Sequence, residues 1–258
     1  MEASMVLEQS AVGTAAPAHP FAGLPRATIT NLRILVWTGP ICVLLVFFGL
    51  FVMAGFFPPP SPELTGAEVA EVWNDKQRLK QAGMIVCFMG GTLYATFTLA
   101  IGIMLRKCTP DAVMPITQTV IGVFGTVYFS FNFLILAVAG FRPDGPNETT
   151  QTLHDLGFIL TFSPAAPFFL QYAAIAMIIL QMPKPLVPRW VAYFNLWVAI
   201  GLVPPSFIPL FESGPLAWNG LLGFYIPVVV FGAWFIVMVP LLLRMLPKSE
   251  QPLPATTD

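Results

Sequence analysis

Six apolar runs, each long enough to cross a bilayer, constrain this chain more than any motif does. They cover residues 34–57, 82–105, 113–141, 156–182, 190–211 and 216–246. About 20 helical residues cross the hydrocarbon core at 1.5 Å per residue. No water reaches the backbone there, so each run must satisfy its own N–H and C=O groups by forming a helix. The third, fourth and sixth runs are longer than needed and must tilt, bend or project into water. Charges are scarce for the same reason: 10% of the 258 residues are charged and 56% are hydrophobic, where a soluble domain carries roughly a quarter charged residues. The expected fold class is all-α, a polytopic membrane bundle of six transmembrane helices over residues 34–246. The short loops between runs make neighbouring helices antiparallel.

Charge placement sets the expected orientation. Of the 12 Lys and Arg, eight (Arg26, Arg33, Arg106, Lys107, Lys184, Arg189, Arg244, Lys248) fall on the side that carries both ends of the bundle. The other four are Lys76, Arg78, Lys80 and Arg142. The positive-inside rule then puts both termini in the cytoplasm. Residues 1–33 and 247–258 read as disordered cytoplasmic tails. A cleaved signal peptide is not expected, because the first apolar run starts late and is too long for an h-region. Residues 64–81, LTGAEVAEVWNDKQRLKQ, should form an amphipathic helix on the outer surface. Thr65 precedes Glu68 by three positions, a capping box, and Val69, Val72, Trp73 and Leu79 recur near helical spacing. Trp73 is expected at the lipid headgroups. The helix is either a connector or a lid over an outward-facing cavity.

Prolines fall where a spanning helix tolerates them least. Pro164 and Pro167 lie about 12 to 17 Å into the fourth run at helical rise. Pro204, Pro205 and Pro209 sit in the outer half of the fifth run, and Pro227 at similar depth in the sixth. Each removes a helical hydrogen bond, and backbone freed in this way must face protein or a wet cavity, not lipid. The expectation is a pocket in the outer half of the bundle, formed mainly by runs three to six. Asn132, Pro164, Pro167, Gln171, Pro204, Trp218 and Asn219 are its expected ligand-binding residues, and an occupied pocket should exceed about 300 Å³. Asn132 and Gln171 need hydrogen-bond partners, which helix–helix contacts would also supply.

Reaction chemistry is hard to place. His154 and Asp155 are the only titratable pair beside a run, and Glu212 lies on the same rim. These three are the weak candidates for catalysis by proton transfer. Adjacent helical residues point apart, so His154 and Asp155 do not form a dyad with each other. Asp155 suits a helix N-terminus or an ion pair with Arg142. The second histidine, His19, lies in the tail, which excludes bis-histidine haem, and no HExxH or ExxH arrangement offers zinc or di-iron ligands. Cys42, Cys87 and Cys108 lack the spacing of a disulfide framework or zinc knuckle. No lysine lies within a run for a Schiff base, and no glycine-rich phosphate loop occurs. No metal site and no cofactor is expected, and a net charge of −1 argues against nucleic acid.

FRPDGPNETTQTLHDLGF (residues 141–158), followed by PRWVAYFNLWVAIGLVPPSFIPLFESGPLAWNGLLGF (residues 188–224), resembles an uncharacterised family of bacterial six-span membrane proteins. The likeness covers about residues 34–246 and implies six spans and a bacterial cytoplasmic (inner) membrane, but no activity. The function expected is binding or passing on a lipophilic small molecule, such as a sterol, terpenoid or lipid, in an outward-facing pocket. A membrane-protein partner or a homo-oligomer is compatible with this. One alternative is a membrane enzyme using acid–base chemistry on such a molecule. Another is a structural subunit without a ligand.

Overall fold

The computed structural model describes residues 19–142, 144–163, 165–183 and 186–247. Residues 1–18 of the expected tail 1–33, residues 248–258 of the expected tail 247–258, and Pro164 lie outside the described residues. No strand occurs among the described residues. Six helical stretches are long and apolar enough to cross a membrane, and the chain is a multi-pass membrane protein of the helix-bundle class.

The first span is α1 (Arg26–Phe47), which widens into a π-helical turn at Phe48–Met53. A surface helix, α2 (Gly66–Asn74), leads into the second span, α3 (Gln77–Cys108), and the third is α4 (Val113–Ala139). The fourth span is broken into α5 (Asn147–Phe162) and α6 (Ala165–Gln181). The fifth is α7 (Trp190–Gly201) followed by a 3-10 segment at Pro204–Leu210, and the sixth begins as a π-helical turn at Leu221–Tyr225 and continues as α8 (Ile226–Met245). Successive spans pack side by side and the sixth returns to the first, closing a ring. Six crossings bring both ends of the bundle out on the face opposite α2.

Spans one and two approach backbone to backbone, because a side chain on Gly49 would strike the Gly83 carbonyl and one on Gly83 would strike that of Gly49. Further along, the Thr96 hydroxyl lies 2.8 Å from that of Thr38. Gly83, Gly90 and Thr96 on span two thus serve close contact with span one inside the bundle.

Three boundaries differ from the hydropathy reading. Helix α1 starts at Arg26, ahead of the apolar run, and Arg33 donates to the Pro247 carbonyl, so this turn is tied to the end of the last span. The segment 64–81 is two elements, because Lys76 adopts left-handed backbone (φ 51°) and turns the chain from α2 into α3. Span four begins at Asn147, where its polar first turns stand clear of the apolar run. Asp155 consequently sits two turns inside α5 and does not cap it, and the N-cap position is Pro146.

The placement of Trp73 is also corrected. It is buried and points into the protein instead of the headgroup layer. Helix α2 packs on α5, and Gly140 leaves room for the indole, since a Cβ there would lie 2.6 Å from it. The capping box forms as expected: the Thr65 N–H donates to Glu68 Oε2 at 2.8 Å, and the Glu68 N–H donates to the Thr65 hydroxyl at 3.4 Å. The Thr65 N–H, and after it the Thr65 hydroxyl, hold the Glu68 carboxyl below its ordinary value of 4.5. A depressed carboxyl stabilises the folded helix fully above its unfolded pKa and loses that contribution as pH falls through the folded value. Amide hydrogen exchange should therefore show α2 opening more readily below pH 4.5 than at pH 7. Glu68→Gln should remove most of that pH dependence.

Candidate functional site

Irregular backbone gathers at the α2 end of the bundle. The π turn of span one, the break after Phe162, the 3-10 segment of span five and the π turn of span six all lie in this half. Proline accounts for the last three: Pro167 is in the first turn of α6, Pro204 and Pro205 open the 3-10 segment, and Pro227 follows the π turn at the start of α8. Pro40 and Pro240 lie inside regular helix in the opposite half, so proline alone does not open the backbone.

Beside the break in span four is an apolar hollow of about 80 Å³, well short of the roughly 300 Å³ expected of an occupied pocket. Span one contributes Val46, Phe47 and Leu50, span three Phe129 and Phe133, and span four Thr161, Phe162 and Phe168. Leu202 comes from span five, and Pro227, Val228 and Phe231 from span six. Among the described residues the Thr161 hydroxyl is the only polar side-chain group on this wall. Rings at right angles or tilted hold the walls apart: the Phe129 and Phe168 centroids are 6.1 Å apart, and those of Phe129 and Phe231 are 6.0 Å apart.

Aromatic packing closes the bundle on both sides of this level. Toward the opposite face, Tyr94, Phe97, Tyr172, Trp234 and Phe235 fill the interior, with Tyr172 and Trp234 centroids 4.7 Å apart. Toward the α2 face, His154 packs against Phe158 at 4.6 Å and stands edge-on to Trp73 and Trp218, each at 6.2 Å. The Trp73 indole N–H donates to His154 Nδ1 at 3.1 Å. An accepting Nδ1 carries no proton, so the ring is neutral and its hydrogen sits on Nε2. That nitrogen is buried without a partner.

The residues singled out from sequence separate into distinct environments. Gln171 joins a buried network between spans two, three and four. It accepts from the Tyr94 hydroxyl at 2.8 Å, donates to the Thr98 hydroxyl, and lies 3.4 Å from Gln118 Oε1. Asn132 donates to the Thr161 hydroxyl at 2.8 Å, while its Oδ1 is buried without a partner. Trp218 is buried and donates to the Pro60 carbonyl at 2.7 Å. Pro167 packs near Gly125, Pro204, Asp155 and Asn219 are half-buried, and Glu212 is exposed. Thr161, the partner of Asn132, lines the hollow, while Asn132 itself and the other described residues of this group do not. No group of His, Cys, Asp or Glu among the described residues could hold a metal ion.

Sequence reading expected phenylalanine and tryptophan to hold a ligand without singling out these six phenylalanines, and it missed the Tyr94–Thr98–Gln118 partners of Gln171. A signal was present: Tyr94 and Thr98 are four residues apart, as are Gln118 and Gly122, which puts each pair on one helix face. Comparison with known protein families, with characterised proteins and with solved structures finds no match.

Gln171→Leu should strand Thr98 and Gln118 in the interior. The expected loss is about 1–3 kcal/mol, read from thermal unfolding in detergent. A Trp73→Phe, His154→Leu double-mutant cycle should show a coupling of about 1 kcal/mol for the buried indole–imidazole bond.

Proposed function

We propose that this protein binds or passes on a lipophilic small molecule, holding one apolar chain or ring of it in the hollow beside the break in span four. The α2 end faces outward, as the distribution of Lys and Arg favours. The resemblance to bacterial six-span proteins supports the bacterial cytoplasmic membrane as its location. The observation that carries the reading is the hollow itself. Six phenylalanines and five aliphatic or proline side chains line it, and one hydroxyl, in the half of the bundle where four spans leave regular helix.

The volume of about 80 Å³ limits the occupant, since a pocket for a whole drug-sized molecule starts near ~300 Å³. A sterol nucleus does not fit. The end of an acyl or isoprenoid chain does, with the remainder of the molecule in the bilayer. The acid–base alternative gains no support here: no titratable side chain lines the hollow, and His154 is enclosed by Trp73, Phe158 and Trp218.

The test is lipid extraction and mass spectrometry of the purified protein. Wild type should carry one lipophilic species well above its share of the membrane. Val228→Phe, which adds a ring to the wall, should lose that enrichment while Gln171→Leu keeps it. Lipids recovered from wild type in bulk-membrane proportions would remove the proposal.

A further inference from the structure

Of the buried side-chain atoms without a partner among the described residues (Ser130 Oγ, Asn132 Oδ1 and His154 Nε2), Asn132 Oδ1 belongs to the residue bonded directly to the polar wall residue Thr161. Asn132 is buried, its N–H group is committed to the Thr161 hydroxyl, and its Oδ1 has no partner. The Thr161 hydroxyl donates to the Gly157 carbonyl at 2.7 Å, so toward a newcomer it too can only accept. Both groups offer a newcomer only an acceptor, and among the described residues no lysine, arginine or histidine lines the hollow.

From this, we infer that the hollow selects a lipophilic alcohol: a hydrocarbon chain whose hydroxyl donates to Asn132 Oδ1 at the Thr161 wall. This rests on the binding function proposed above and narrows its ligand. A carbonyl, ether or ester oxygen would bring another acceptor to a wall of acceptors. A carboxylate would add a charge with no cation to meet it. A hydroxyl supplies the missing donor, and its chain occupies the space between Phe129, Phe162 and Phe231. Binding in this way requires the Asn132 carboxamide to turn Oδ1 toward the wall at Thr161, its present partner.

The experiment titrates delipidated full-length protein in detergent with 1-dodecanol and with dodecyl methyl ether, which has the same chain and no donor. Ligand-induced thermal stabilisation reports the binding. Wild type should prefer the alcohol by about 5- to 10-fold, the weight of one net hydrogen bond. Asn132→Leu should bring the ratio near one while retaining affinity for the ether. The wild-type comparison stands whether or not the variant folds. Equal binding of the two compounds by wild type, or a preference that survives Asn132→Leu, overturns the alcohol assignment and leaves the lipophilic site intact. Saturable binding of neither compound overturns both. A rigid sterol should not bind, and sterol affinity equal to that of dodecanol would overturn the assignment to a chain.

Discussion

The hydrogen-bonding demand of backbone in hydrocarbon governs this structure. A spanning segment meets that demand as regular helix unless something inside the protein replaces the lost partners. In the half of the bundle opposite α2 the rule is followed closely. Regular α1, α3, α4, α6 and α8 surround a filled aromatic interior, and Asn195 is satisfied by donating to Val191 and accepting from Trp234. In the α2 half, four spans leave the α-helix. Wider and tighter turns move side chains off the straight helical rows, so the rings there cannot interdigitate as fully. The hollow is the space left between them.

The two aromatic layers give the hollow its isolation. Above it, Trp73 reaches from α2 into span four and binds His154, so a surface helix that hydropathy alone would leave on the membrane becomes part of the roof. Phe56 packs on both Trp73 and Phe158, at 5.4 and 5.3 Å, and Trp218 stacks on Phe158 at 5.7 Å. This arrangement answers how a titratable side chain can stand at the entrance of a span. His154 is neutral, bonded through Nδ1, and surrounded by rings that shield it from water. These rings separate His154 from the phenylalanines that line the hollow.

Much of the fold was legible because membrane length is a crude but strong filter. Six runs of more than 20 residues need no periodicity to be recognised, and the Thr65–Glu68 cap is a local signal confirmed in place. What failed was direction. Trp73 was assigned to the headgroups because an indole on an amphipathic helix suits either lipid or protein, and only the gap at Gly140 decides between them. Asp155 was read as a helix start because the apolar run begins after it, although the polar stretch from Asn147 is already helical. Within that stretch Thr150, His154, Gly157, Phe158 and Thr161 recur at helical spacing and are the buried face of α5. That period was available to a reader who looked past hydropathy. The prolines correctly marked the half of the bundle where backbone opens. They did not identify the wall, because the phenylalanines that line it resemble lipid-facing ones in sequence.

The central claim is that the hollow beside the broken fourth span is built to be occupied. A cryo-electron microscopy map of the protein in native-lipid nanodiscs, at side-chain resolution, tests it most directly. The account predicts elongated non-protein density between Phe129, Phe162 and Phe231, with one end at Thr161. A map in which those rings rotate inward and meet, leaving no density and no gap, would contradict it and leave a closed membrane scaffold.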